Sequence, residues 1–154
     1  ERAPFYSPDA RAGFFGISPH TTRAELQRAV FEGLAFAIVD ALQGYPQGGE
    51  LYLTGGGAAS ATWLQIIADC TGRTVVSSAF NELSARGAAI LAARSVAALA
   101  ETPPLAQTRY QPRPQAHARY AALYPVYRLL REQMLPVWQA RQAALQPLSQ
   151  DLQP

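Results

Sequence analysis

Lysine is missing from this chain. All thirteen of its basic residues are arginine, so chemistry that runs through a lysine amine has no place in these 154 residues. Cysteine occurs once, at Cys70, which excludes an intrachain disulfide and suits a reducing cytoplasm. Cys70 falls late in a predicted helix among apolar neighbours, where a buried packing thiol is expected rather than a nucleophile. The two histidines, His20 and His117, stand far apart with no cysteine or carboxylate at metal-ligand spacing. Charged residues make up 16% of the chain and the net charge is +2. That is too little to argue for nucleic acid or an acidic membrane as partner, and the arginines are scattered over the sequence. No apolar run reaches the roughly 18 residues needed to span a bilayer, and no signal-peptide pattern is visible. The chain does not start with methionine, and its single Met is Met134. Glu1-Arg2-Ala3-Pro4 reads as the middle of a segment, left by processing or cut from something longer.

What is present begins with a hydrophobic content of 49%, enough for one globular domain with a core. The chain is organised around Leu51-Tyr52-Leu53-Thr54-Gly55-Gly56-Gly57-Ala58-Ala59-Ser60-Ala61-Thr62-Trp63. Leu51–Leu53 is a short apolar run bounded by turn residues and predicts a buried strand. Three glycines follow. Thr62, three residues before Gln65, then resembles a helix N-cap with its capping-box partner. Strand, glycine turn and helix can bring backbone N–H groups to an anion or nucleotide, and the same residues also suit a tight turn with no ligand.

The first residues, Glu1 to Gly16, predict a loop and then a short strand ending at Gly16 or Ile17. Thr22-Arg23-Ala24-Glu25 is a capping box, and a helix is expected from Arg23 to Leu42. Gly33 inside it costs about 1 kcal/mol relative to alanine, which suggests close approach by a backbone or a ligand. Gly44 to Gly49 turns the chain. Thr71-Gly72 ends the helix after the glycine turn, and Thr74–Ser77 is β-branched and predicts a second strand. The strand–helix–strand spacing predicts parallel pairing. Asn81 is the expected cap of a further helix running to Leu99. Glu101 to Gln115, with Pro103, Pro104, Pro112 and Pro114, is expected as an extended connector. The tail from His117 to Leu145 predicts helix, broken or kinked at Pro125 and Pro136, with an aromatic stripe for packing. Gln146 to Pro154 is expected to fray.

Two stretches resemble signatures of the FGGY family of carbohydrate kinases, most nearly the C-terminal domain of its xylulokinase-like members. One is Ala12-Gly13-Phe14-Phe15-Gly16-Ile17 with Glu25-Leu26 and Ala29-Val30-Phe31-Glu32. The other runs from Gly55 to Ser60 through Trp63-Leu64-Gln65 to Ala68-Asp69 and Gly72. Asn81 through Ala92 resembles the family's small-residue helix, and the likeness covers residues 1–100. Arg86 departs from the leucine common in xylulokinases, and Ala61 from the asparagine usual in glycerol kinases.

The resemblance implies an α/β, actin-like or ribonuclease H-like ATPase domain, its sheet flanked by helices and truncated at its N-terminal strands. It implies residues 1–154 as the C-terminal nucleotide-binding domain of a sugar kinase: a core to residue 100, a connector at 101–116 and a helical tail at 117–146. It implies ATP with Mg2+, phosphoryl transfer to a sugar hydroxyl with a pentulose such as xylulose as acceptor, and a cytoplasmic protein; it leaves room for a homodimer. Another sugar or polyol of the same family, or a non-catalytic nucleotide-binding or dimerisation domain, are the alternatives. The base aspartate and most sugar contacts belong to the family's N-terminal domain, so no catalytic residue is assigned here and this chain alone is expected to be inactive. Gly56, Gly57 and Ala58 are expected to present backbone to the ribose and α-phosphate. Ser60 is expected near the adenine or as organiser of the helix start. Gly33 and Glu32 lie on the helix that walls the family's adenine pocket, although Glu32 also fits as an ion-pair partner of Arg28. Asp69 is expected to be structural rather than a magnesium ligand.

Overall fold

The computed structural model describes residues 5–46, 48–78, 82–96 and 104–150, the side chains of 146–150 excepted. It forms two compact units, residues 46–117 and the pair of stretches 5–45 and 118–150.

In the unit of residues 46–117, strand β1 (Leu51–Leu53) leads through a 3-10 turn (Gly56–Ala59) into helix α2 (Ala61–Thr71), strand β2 (Val75–Ser78), helix α3 (Leu83–Val96) and strand β3 (Gln107–Tyr110). The sheet order is β1-β2-β3. As expected, β1 and β2 are parallel, with Leu51 opposite Val75 and Leu53 opposite Ser77. The central strand β2 is buried along Val75, Val76 and Ser77, while both edge strands keep exposed residues. Leu64, Ile66, Ile67 and Ala68 of α2 complete the core against it. Each of the larger side chains, Leu64, Ile66 and Ile67, contributes about 1.5–3 kcal/mol through loss of water contact. Cys70 lies among them, buried.

Strand β3 corrects the expectation of an extended connector over Glu101 to Gln115. Gln107–Tyr110 pairs antiparallel with β2, Val76 opposite Arg109. The free edge of β2 must satisfy its N–H and C=O groups. The prolines of this stretch flank the four paired residues and leave their N–H groups available. Among the other helix and strand boundaries, the expected cap Asn81 and the stretch 97–100 lie outside the described residues.

One carboxylate locks this unit together. Asp69 has no exposed surface. Its Oδ2 accepts from Arg113 Nη2 at 2.5 Å and Arg113 Nε at 3.0 Å. Its Oδ1 accepts from the Arg113 backbone N–H at 2.8 Å and from Gln65 Nε2 at 3.0 Å. Burial pushes the Asp69 carboxyl up, but the hydrogen bonds from Arg113 and Gln65 together outweigh it and hold the group below its ordinary range. Nearby, α2 ends at Gly72 in the left-handed conformation, φ 67°. A Cβ there would stand 2.6 Å from His117 Cε1, and His117 Nδ1 lies 2.9 Å from the Asp69 carbonyl oxygen.

In the unit of residues 5–45 and 118–150, helix α1 spans Arg23–Ala41. Its capping box is formed as expected: Thr22 N–H donates to Glu25 Oε2 at 2.7 Å, and Glu25 N–H to Thr22 Oγ1 at 3.2 Å. Helix α4 (Pro114–Gln150) begins in the other unit and continues here. It is continuous through Pro125 and Pro136, where a break or kink was expected, and it continues over 146–150, part of the expected frayed end. Each proline removes one intrahelical hydrogen bond, and anchoring on both sides of Pro125 offsets that loss. Phe36 is ringed by Tyr120, Tyr124 and Tyr127 at centroid distances of 5.9, 5.9 and 5.2 Å. Tyr124 donates to Asp40, which also pairs with Arg131. The aromatic stripe is therefore packing, and burial first, then the Asp40 hydrogen bond, raises the Tyr124 phenol to about 12. The rest of the expected frayed end, residues 151–154, lies outside the described residues. The strand expected to end at Gly16 or Ile17 is absent: among the described residues no partner strand pairs with this stretch, and Phe14, Phe15 and Ile17 are exposed.

Because the Asp69 pKa is depressed, its stabilisation is fully present above the unfolded value of about 3.9 and is lost as pH falls through the lower folded value. Asp69→Asn should therefore flatten the acid fall in Tm below about pH 4, and Arg113→Ala, which leaves the buried carboxylate unpaired, should cost about 2–3 kcal/mol at pH 7, discounted for the exposure of the arginine. Thermal denaturation between pH 3 and 7 checks both. Gly72→Ala should cost more than the roughly 1 kcal/mol of left-handed strain, because its methyl meets the imidazole. Adding His117→Ala should recover part of the loss; equal additive losses in the double variant would count against the contact.

Candidate functional site

Parallel pairing of β1 and β2 puts their carboxyl ends, Leu53 and Ser77, side by side. In open α/β sheets that edge is where ligands bind. The turn that leaves β1 there is glycine-rich. Gly55 takes φ 86° and ψ −174°, a backbone conformation open to glycine alone at low cost. Gly56–Ala59 then makes one 3-10 turn, with Ala58 N–H donating to the Gly55 carbonyl at 3.0 Å and Ser60 N–H to the Gly57 carbonyl at 3.3 Å.

Ser60 is the N-cap of α2. Its Oγ accepts from Trp63 N–H at 3.3 Å, and its carbonyl accepts from Leu64 N–H at 3.0 Å. This corrects the assignment of Thr62 with Gln65 as the capping pair. The helix starts two residues earlier than the local pattern suggests, so Thr62 already lies inside the first helical turn, and Gln65 serves Asp69 instead. Of the two roles open to Ser60, organising the helix start is the one its hydrogen bond displays.

Gly56, Gly57, Ala58 and Ser60 thus come together in one short loop, exposed except for a half-buried Ala58. Gly57 does not carry the positive φ, which belongs to Gly55. Instead, a Cβ on Gly57 would stand 3.4 Å from Trp63 Nε1 and 3.6 Å from Trp63 Cδ1. Gly55 and Trp63 are the residues that sequence reasoning passed over. The signal for Gly55 was its place as first glycine after a strand; the contact of Trp63 is three-dimensional.

Gly33 belongs to the chain's other unit, half-buried on α1, and a Cβ there would meet nothing within 4 Å. No other backbone comes close to the Gly33 Cβ position among the described residues. Its neighbour Glu32 is engaged: Oε1 pairs with Arg28 Nε at 2.7 Å and accepts from the Tyr120 hydroxyl at 2.7 Å. The Arg28 alternative is therefore the one its contacts show. Burial first, then the Glu32 hydrogen bond, pushes the Tyr120 phenol up to about 12, so it stays a proton donor at neutral pH.

Residues 1–96 match the FGGY family of carbohydrate kinases, C-terminal domain. A probable L-xylulose kinase of Pasteurella multocida is 33% identical over 125 residues, covering 78% of this chain and 26% of that protein. An erythritol kinase of Brucella abortus is 35% identical over 148 residues, covering 90% of this chain and 28% of that protein. Among solved structures, ligand-bound xylulose kinase from Lactobacillus acidophilus superimposes with a TM-score of 0.80 at 24% identity, covering 90% of this chain and 30% of that one. The chain spans less than a third of the length of each of these proteins. The small mixed sheet with its helices is of the actin-like, ribonuclease H-like class, and by the match over residues 1–96 the chain belongs to the FGGY family of carbohydrate kinases.

Proposed function

We propose that this chain forms part of the ATP side of a kinase that transfers a γ-phosphoryl group to a hydroxyl of a small sugar or polyol, with a pentulose such as xylulose as acceptor. The observation that carries the reading is the glycine turn Gly55–Ala59, set at the carboxyl edge of a parallel strand pair and feeding a Ser60-capped helix. A helix N-terminus favours negative charge, and a turn without side chains lets backbone come close to a nucleotide. Membership of a carbohydrate kinase family supports the same reaction. The pentulose rests on the names of two of the similar proteins, one a probable L-xylulose kinase and the other a xylulose kinase.

Phosphoryl transfer is mostly positioning and charge stabilisation. In this reading Gly56, Gly57 and Ala58 present backbone to the ribose and α-phosphate, and Ser60 fixes the start of α2 beneath them. The base and most acceptor contacts come from outside this chain. Among the described residues no cluster of three or more His, Cys, Asp or Glu side chains could hold a metal ion, and the Asp69 carboxylate is taken up by Arg113 and Gln65. In this proposal Mg2+ enters with the nucleotide, as MgATP. Among the described residues no helix is long and apolar enough to cross a membrane; use of ATP places the protein, in this proposal, in the cytoplasm.

The test is a coupled kinase assay on the complete enzyme with xylulose, erythritol and glycerol as acceptors. Xylulose should give the highest kcat/KM. Gly57→Val should raise KM for ATP by about tenfold or more while leaving the acceptor KM within about twofold. Gly55→Ala should act in the same direction through backbone strain. An unchanged ATP KM in a folded Gly57→Val enzyme would reduce the loop to a plain turn.

A further inference from the structure

The glycine turn has little of its own to hold its shape. Gly55, Gly56, Gly57 and Ala59 are exposed, and no side chain larger than a methyl group stands between Thr54 and Ser60. A segment of this kind is costly to order when a ligand arrives, because glycine has the most backbone freedom to lose.

Trp63 closes a circuit around it. Its backbone N–H donates to Ser60 Oγ at 3.3 Å. The Ser60 N–H donates in turn to the Gly57 carbonyl at 3.3 Å. The pyrrole edge of the indole then comes back to Gly57, with Nε1 and Cδ1 at 3.4 and 3.6 Å from where a Cβ would stand. Further along α2, the Asp69 carboxylate pairs with Arg113, and the Asp69 carbonyl lies 2.9 Å from His117 Nδ1. The indole is therefore delivered to the turn from a helix that is itself anchored.

We propose that Trp63 is the positioning residue of the turn: its indole edge, which fills the space a Gly57 side chain would take, holds the backbone in the shape that receives the nucleotide. This rests on the reading of the turn as part of the ATP site. The indole is a flat, two-torsion group, so it restrains the turn at little entropic cost of its own and lowers the ordering cost left for binding. It acts through Gly57 without needing to touch the nucleotide.

The experiment is calorimetric titration of MgADP into the complete enzyme carrying Trp63→Ala, Trp63→Phe, Gly57→Val, or Trp63→Ala with Gly57→Val. Trp63→Ala should weaken MgADP by about tenfold through lost preorganisation. Trp63→Phe, which keeps a flat edge, should regain most of it. Because both substitutions disturb one contact, the double variant should bind no more weakly than the worse single one. The acceptor KM at saturating ATP should stay within about twofold, a split that a general loss of folding does not produce. If Trp63→Ala proves too unstable to titrate, Trp63→Leu replaces it, with the same expected loss. Weakened MgADP in Gly57→Val with wild-type affinity in Trp63→Ala or Trp63→Leu overturns the role of Trp63 and leaves the turn as the site. Full additivity in the double variant overturns it too. Unchanged affinity in every variant overturns the turn as a nucleotide site as well.

Discussion

A carboxylate without exposed surface has to be answered by donors, and the Asp69 side chain is answered by three groups at once: the Arg113 guanidinium, the Arg113 backbone N–H and the Gln65 amide. Desolvation of an unpaired carboxylate is far more costly than any one of these bonds is worth. The arrangement therefore admits few alternatives. It ties α2 to the chain just after β3, and that chain continues directly into α4. With His117 seated over Gly72, the carboxyl end of α2 is held from two sides. The apolar face of the same helix lies on β2. What remains adjustable is the amino end of α2, and that is where the glycine turn sits.

The turn is thus the unsupported end of a supported helix. Such an end suits a ligand contact, because the rigid part fixes where the backbone points while the glycines leave room above it. Gly55 makes the reversal out of β1 through its left-handed φ, Ser60 caps the helix, and Trp63 bridges the two. The three requirements differ in kind: a backbone conformation, a hydrogen-bond acceptor and a flat packing surface. In the unit of residues 5–45 and 118–150, stability is built differently. There the Phe36 ring sits among tyrosines, of which Tyr120 answers Glu32 and Tyr124 answers Asp40.

Features set by neighbouring residues were legible in the sequence. The Thr22–Glu25 capping box, the strand at Leu51–Leu53, the stop at Gly72 and the parallel β1–β2 pair all follow from local chemistry and spacing. Features set by distant residues were not. Strand β3 exists because β2 had a free edge, which nothing in Gln107–Tyr110 announces. Asp69 was read as structural, yet its partner Arg113 lies 44 residues away. Between these extremes stand errors of a residue or two. The cap is Ser60 and not Thr62, because the 3-10 turn over Gly56–Ala59 leads directly into the helix. Proline at 125 and 136 was weighed by its local cost alone, whereas α4 is held by contacts made through Tyr124 and Arg131. The candidate loop itself was visible as three glycines after a strand; the packing that shapes it was not.

The central claim is that nucleotide meets this chain at the turn between β1 and α2. Hydrogen exchange on the complete enzyme, with and without MgATP, tests it most directly. The account predicts slowed exchange over residues 54–64, where the backbone N–H groups of the turn and of the first turn of α2 lie. Protection elsewhere in the enzyme with no change over 54–64 would contradict it.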